Sequence, residues 1–252
     1  MKLVVVAHGC SETNIALKRA AESLALPAVV LAPRDALRTV EPADVVLCRL
    51  GAGPLGIEPG LSELEQVAAT GAVVLNPPAA LVAAHDRHLT ARLLRRAGLP
   101  HPRSWLLADG LPSPAPELPV ALTPRFGRWS DDVRCETVDE LGAALARLAP
   151  LAWFREHGVL ARELADSDAA RLQLVVAGRR VLTAAAPLLA QQLAVAAAAA
   201  VGADFATVDL VARGRSFAVT GLDPVPELAA PRDYRAALHE LLVAAVARRP
   251  AA

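Results

Sequence analysis

The stretch VVLNPPAALVAAHDRHLTARLLRRAGLPHPRSWLL, residues Val73–Leu107, decides the fold. It opens inside a short apolar run, Ala72–Leu75, of the kind that forms a buried strand, and that strand ends at Asn76. From Pro77 the texture changes to a long basic helical stretch, Ala79–Ala97. Gly98 and Pro100 stop it, because glycine takes the left-handed cap and proline cannot continue a helix. One lobe therefore ends near residue 78 and a different texture follows.

Upstream, apolar runs at Leu3–Ala7, Ala28–Ala32 and Asp44–Leu50 join Ala72–Leu75, with helical patterns at Asn14–Leu24 and Leu61–Thr70 between them. Strands that read as unbroken apolar runs, separated by helices, predict a parallel sheet covered on both faces. Ser62 and Glu65 have the spacing of a capping box and would start the second helix. Downstream, the Pro-rich segment Leu111–Pro119 reads as a loop before a strand at Val120–Thr123, and a helix is expected at Val138–Leu148. Three further runs, Val159–Leu164, Leu172–Ala177 and Arg180–Ala185, suggest an antiparallel meander turning at Gly178. An Ala-rich helix (Leu189–Val201), a hairpin (Phe205–Val211 with Ser216–Thr220) and a last amphipathic helix (Arg232–Ala247) complete the chain.

The 26 basic and 26 acidic side chains of the 252 residues cancel, so no net field draws in a nucleic acid or an anionic membrane. Cys10, Cys48 and Cys135 are odd in number and widely spaced, which suits reduced thiols better than disulfides or zinc. The first apolar run is too short for a signal peptide, and the Leu188–Gly202 stretch is shorter than the roughly 20 residues a membrane span needs. A cytoplasmic protein is expected.

The words carried by these elements resemble the RimK-like carboxylate–amine (α-L-glutamate) ligases of the ATP-grasp superfamily over nearly the whole chain, as a divergent and shortened member. The matching features are Asn76 at a strand end, the pair Asp86-Arg87, and Gly98-Leu99-Pro100-His101-Pro102 leading into a strand. To these add Arg49-Leu50-Gly51 at another strand end, the hinge strand Val159–Leu164, and the strand Ala206–Leu210 bearing Asp209. The resemblance implies an α/β and α+β chain, an ATP-grasp fold with an N-terminal Rossmann-like (pre-ATP-grasp) parallel-sheet lobe. Its lobes would span residues 1–78, 79–156 and 157–252. It also implies ATP and Mg²⁺ as cofactors. ATP would phosphorylate a small-molecule or peptide carboxylate, and an amine would displace phosphate to leave an amide. No nucleic-acid or membrane partner is implied, and self-association into a homo-oligomer is left open.

The same resemblance assigns roles residue by residue. Arg87 stands where the family places a phosphate-binding Lys, although it also reads as a solvated arginine of a basic helix. Thr123 replaces a second Lys, so Arg125 or Arg128 would have to reach the phosphates from the following loop, which keeps only Gly127 of the family's glycines. Asp131 and Asp132 in that loop would repel phosphate. Glu163, followed by Leu164, matches the Glu before the adenine-facing backbone, or is a plain surface Glu. Arg171 parallels a catalytic Arg or forms a structural salt bridge. Asp209 and Asp223 would hold one Mg²⁺, since Gly221 replaces the Glu that bridges two ions. His8, Ser11 and Arg49 are expected near the substrate.

Gly51-Ala52-Gly53-Pro54-Leu55-Gly56 fits the G-x-G-x-x-G pattern, yet no helix follows at once and no acidic residue ends the next strand, so NAD binding is set aside. With Thr123, Gly221 and a glycine-poor loop, the alternative to a working ligase is a catalytically impaired homologue that binds a nucleotide or a partner.

Overall fold

The computed structural model describes residues 1–108, 115–127, 133–164, 169–182, 185–228 and 231–248. The N-terminal part runs β1 (Leu3–Val6), α1 (Glu12–Ser23), β2 (Ala28–Leu31), α2 (Pro33–Thr39), β3 (Val45–Cys48), the short pair β4 (Ala52–Gly53) and β5 (Gly56–Ile57), α3 (Leu61–Ala69) and β6 (Val73–Leu75). β2, β1, β3 and β6 lie side by side in that order, all parallel. Alternate residues of each strand serve different cores. Leu3, Val5, Val45 and Leu47 pack with Leu17 and Ala20 of α1, while Val4, Val6, Val46 and Cys48 pack with Ala36, Leu64 and Val67 of α2 and α3. Because both faces are covered, both side-chain parities are apolar, which is why these strands read as unbroken runs.

α4 (Pro78–His85) and α5 (Arg87–Arg96) follow, then β7 (Ser104–Leu107), β8 (Val120–Pro124), β9 (Val133–Cys135), α6 (Val138–Leu148), α7 (Ala152–His157) and β10 (Val159–Glu163). β7, β10, β8 and β9 form an antiparallel sheet. One face packs Leu107, Val120, Leu122, Val159 and Ala161 against Leu141, Ala144 and Leu148 of α6. The third sheet is antiparallel, ordered β12 (Arg180–Val181), β11 (Arg171–Ala177), β13 (Phe205–Arg213) and β14 (Ser216–Asp223). α8 (Leu188–Val201) lies on it, and its buried Ala190, Ala194, Ala197 and Ala198 bring the helix close to the sheet. The last helix, α9 (Pro231–Arg248), returns to the first lobe, with Tyr234, Leu238 and Leu241 joining Leu17 and Phe205 in one core. Each such leucine contributes about 1.5–3 kcal/mol of burial free energy.

Several expectations need correction. The stretch 79–97 is two helices, broken where Asp86 turns extended (φ −82°, ψ 98°) and its carboxylate accepts from the N–H groups of His88 and Leu89. Asp86 is therefore an N-cap, a role its short acceptor side chain favours. No Ser62–Glu65 capping box forms: α3 starts at Leu61 behind Gly60, whose φ of 123° excludes a side chain, and a Cβ there would meet Pro33 at 2.4 Å. β10 is not part of a meander with β11 and β12 but the inner strand between β7 and β8. α2 and α7 carried too little periodicity to be expected. The G-x-G-x-x-G segment is the turn of β4–β5. Arg128, Asp131 and Asp132, residues 111–114 of the Pro-rich segment and residues 183–184 lie outside the described residues. No helix among the described residues is long and apolar enough to cross a membrane.

Candidate functional site

The three sheets leave a cleft with two adjoining cavities of about 610 Å³ and about 470 Å³, which share Arg87, Gln173, Asp209 and Gly221 in their walls. The larger is bounded by Gly51–Gly53, His85, Gly127, Thr207, Asp223 and Glu227. The smaller is bounded by Arg162, Arg171, Leu172, Leu210 and Thr220. Charge is divided between them. Among the described residues, three arginines (87, 162 and 171) and one carboxylate, Asp209, line the smaller cavity. Around the larger one Arg87 faces three, Asp209, Asp223 and Glu227. A cleft polarised in this way suits a ligand with an anionic end and a cation beside it.

The carboxylates are placed by strand register. Asp209 of β13 stands opposite Gly221 of β14, and Thr207 stands opposite Asp223. Asp209 and Asp223 are thus diagonal neighbours on one sheet face, about 7–8 Å apart at the backbone in such a pairing. The register slips between Asp209 and Leu210, a bulge that re-aims the strand beside the acid. A Cβ on Gly221 would lie 2.9 Å from Asp209 Oδ2, so the missing side chain makes the room that Asp209 occupies. Gln173 Nε2 donates to Asp209 Oδ1 at 3.0 Å, and the Val225 N–H donates to Asp223 Oδ1 at 2.9 Å. The oxygens suit a hard divalent cation that keeps several waters. Among the described residues no group of three or more acidic, His or Cys side chains is gathered for a metal.

Of the cations expected at the phosphates, Arg87 lines both cavities, and its Nη1 donates to the Pro124 carbonyl at 2.7 Å, which ties α5 to β8. Arg171, at the start of β11, also lines the cleft. Arg125 does not reach it. Its Nε and Nη2 donate to the two oxygens of Asp86 at 3.0 and 2.6 Å, a fork-to-fork pair that consumes both groups. Thr123 is buried in β8, and its hydroxyl has no partner.

Glu163 is drawn into ion pairs instead of lining either cavity. The Arg103 N–H donates to it at 3.1 Å, and Arg213 Nη2 lies 3.5 Å away. Leu164 follows β10, half-buried. His8 and Ser11 sit in the exposed loop after β1, where Ser11 Oγ caps α1 by accepting from the Asn14 N–H and His8 Nε2 donates to the Pro59 carbonyl. Neither lines the cavities. Arg49, expected near the substrate, is buried. Nε donates to Asn14 Oδ1 at 2.7 Å, Nη2 donates to the Pro226 carbonyl at 2.9 Å and to Glu227 Oε1 at 3.2 Å, and its guanidinium lies 5.7 Å from the Phe205 ring centre. Burial lowers its pKa to about 10, which leaves it charged at neutral pH.

Sequence reasoning missed Arg162, Gln173, Glu227 and His85. The signal for Arg162 was a charge inside the apolar run VLARE. His85 caps no motif; its Nε2 donates to the Leu50 carbonyl at 2.8 Å, and burial lowers its pKa. Asn76, read from the sequence as a family mark, proves to be an inter-lobe staple. Its amide donates to the Phe205 and Pro224 carbonyls and accepts from the N–H groups of Asp204 and Phe205.

A parallel N-terminal sheet followed by two antiparallel sheets with a cleft between them is the ATP-grasp fold. The structure is similar to the RimK domain ATP-grasp protein from Sphaerobacter thermophilus (TM-score 0.72, 18% identity, covering 96% of this chain and 99% of that one). It is similar as well to the D-alanine–D-alanine ligase of Bacillus anthracis (0.72, 13%, 99% and 98%). A third likeness is to the ATP-grasp ligase PsnB complexed with minimal precursor, Mg and ADP (0.69, 14%, 97% and 98%). No protein-family model and no curated protein matches the sequence.

Proposed function

We propose that the chain is an ATP- and Mg²⁺-dependent carboxylate–amine ligase of the RimK-like kind, working in the cytoplasm. The observation that carries this reading is the polarised cleft, with Arg87, Arg162 and Arg171 at one end and Asp209, Asp223 and Glu227 at the other. In this reading the arginine end meets the triphosphate oxygens and withdraws charge from them, and Asp209 and Asp223 would hold Mg²⁺. The bound ion would offset the charge that builds on those oxygens. A substrate carboxylate oxygen attacks the γ-phosphorus and ADP leaves. An amine then attacks the acyl carbon, the phosphate departs with the carbon–oxygen bond's electron pair, and the amine nitrogen loses a proton. The wall of Gly51–Gly53 and Gly127 closes the cleft from the side of the first lobe and helps to exclude water. The named neighbours include a ligase of a small amino acid and one complexed with a precursor, so either kind of acid or amine fits the class.

The test is phosphate release from ATP in the presence of candidate amino acids and peptides, alongside calorimetric titration of an ATP analogue with and without Mg²⁺. A ligase releases phosphate only with acceptor, and Asp209→Ala abolishes it. A second reading, a nucleotide-binding homologue without turnover, is favoured by Thr123 and by Arg125 being held on Asp86. It predicts analogue binding with no acceptor-dependent phosphate.

A further inference from the structure

Among the described residues, Glu227 is the carboxylate of the larger cavity that stands apart from the paired acids of the third sheet. It lies beyond the end of β14, and the segment leading to it is pinned to the first lobe. The Pro224 carbonyl accepts from the Asn76 amide at 2.9 Å, and the Pro226 carbonyl accepts from Arg49 Nη2 at 2.9 Å. Glu227 is held at both oxygens: Oε1 accepts from Arg49 Nη2 at 3.2 Å, and Oε2 accepts from the hydroxyl of buried Thr13. The carboxylate is thus fixed before a ligand arrives, which lowers the ordering cost of binding.

Those two bonds leave it capacity. An ionised carboxylate offers about four acceptor positions, and the Glu227 side chain remains 57% exposed on the cavity wall. Arg49 offsets part of its charge from behind, with a side chain wholly shut off from solvent. The surroundings are otherwise acidic. Asp223 lines the same cavity, and Glu58 accepts from the Gly51 N–H at 2.7 Å behind the Gly51–Gly53 wall. His85, near both of these acids, is buried with a lowered pKa and adds no charge at neutral pH. Among the described residues Arg87 is the one cation in this wall, and it is shared with the arginine end of the cleft. A substrate carboxylate beside Glu227 would meet repulsion with Arg49 buried out of reach, whereas a cationic group would meet a preset acceptor.

We propose that Glu227 binds a cationic group of the amine substrate, so that the amine joined by this chain carries a second positive centre, as a diamine does, and is not an acidic amino acid. The proposal rests on the ligase reading above and names the substrate class of its larger cavity. Glu227 takes no part in bond making. A nitrogen seated on a carboxylate stays protonated, so the nitrogen that attacks the acyl carbon is a different one in the same molecule. A purely structural Glu227, present only as the partner of Arg49, would give the cavity no preference among ligands by charge.

Calorimetric titration of the protein saturated with a non-hydrolysable ATP analogue and Mg²⁺ separates these cases, with 1,4-diaminobutane, 1,4-butanediol and L-glutamate as probes. The diamine and the diol share a four-carbon chain and differ in charge. In the unmodified protein the diamine should bind about tenfold or more tightly than either of the others. Glu227→Gln keeps an acceptor for Arg49 and Thr13 but removes the charge, so diamine affinity should fall about tenfold while analogue affinity holds. Its melting temperature drops in either case, because buried Arg49 loses its ion pair; the charge preference in the unmodified protein needs no variant. Equal binding of diamine and diol, tighter binding of glutamate, no binding of any probe, or an unchanged diamine affinity in Glu227→Gln overturns the proposal and leaves the ligase reading standing. Failure of the unmodified protein to bind the ATP analogue is a separate result, which sinks that reading and the proposal with it.

Discussion

Replacing Asn76 with alanine tests how the first lobe is fixed to the strand that carries Asp209. Asn76 is fully buried at the end of β6, in the left-handed region at φ 50°. Its amide makes four hydrogen bonds at 2.7–2.9 Å, two accepted from the Asp204 and Phe205 N–H groups and two donated to the Phe205 and Pro224 carbonyls. Its own N–H donates to Asp204 Oδ2 at 2.8 Å, and Asp204 is held in turn by Arg248 at the end of α9. In Asn76→Ala the two donors lose their acceptor in a buried site, at about 1–2 kcal/mol each, and the two carbonyls lose one of their partners, at about 0.5 kcal/mol each. Alanine at positive φ adds about 1 kcal/mol. The sum is about 4–6 kcal/mol, a large share of the 5–15 kcal/mol that a folded protein typically has.

The assay is equilibrium urea unfolding followed by far-UV circular dichroism, with thermal melting as a second probe, where this loss corresponds to about 10–15 °C. Asn76→Gly separates the parts: it removes the conformational strain and keeps the loss of hydrogen bonds, so it falls short of the wild type by about 3–5 kcal/mol. Asn76→Asp keeps an acceptor for the two N–H groups but sets a carboxylate oxygen against the two carbonyls and beside Asp204. It is destabilised at pH 7, and part of that loss is regained once acid protonates it. A cost below about 1 kcal/mol for Asn76→Ala, or an Asn76→Gly as stable as the wild type, refutes the reasoning.

Three further outcomes follow from the geometry. Gly127 has φ 73°, and a Cβ on it would lie 2.6 Å from the Gly53 carbonyl carbon, so Gly127→Ala should push the β4–β5 turn off the central lobe and weaken ATP-analogue binding several-fold without loss of secondary structure. Gly221→Ala, whose Cβ would press on Asp209 Oδ2, should reduce the Mg²⁺-dependent part of analogue affinity about tenfold and leave the Mg²⁺-free part intact. Burial holds the folded pKa of His85 below the ordinary histidine value of about 6.5, so the unfolded chain takes up a proton that the native one refuses as pH falls through that value. Stability at His85 is thus complete above pH 7 and declines on acidification until the lowered native pKa is passed; in urea midpoints at pH 7.5 and 5.5, His85→Gln should show the smaller drop.

How much was legible depended on whether a signal was local. The parallel sheet was, because strands covered on both faces must be apolar at every position, and Val4–Val6 and Val45–Cys48 show it directly. The break at Asp86 was written in the chain too, as a short acceptor side chain ahead of a basic turn, but a continuous apolar pattern from α4 into α5 concealed it. Strand partnership was not local. Val159–Glu163 has the same texture as Arg171–Ala177, and only the third dimension says that the first inserts between β7 and β8 while the second pairs with β13.

That difference decided the reading of the site. Asp209 and Asp223 could be proposed from sequence because each sits in a recognisable word, and the register sets them diagonally on one sheet face. Arg162 could not, because a cation in an apolar strand has meaning only once its face and its neighbour are known. With β10 in a meander its side chain has no relation to Thr123; with β10 beside β8 it stands diagonal to that residue and bonded across the cleft to Thr220. Arg125 illustrates the converse: it follows Thr123 by two residues, yet the N-cap carboxylate of Asp86 holds it bidentate, and sequence proximity offers no guide to which anion a guanidinium will meet.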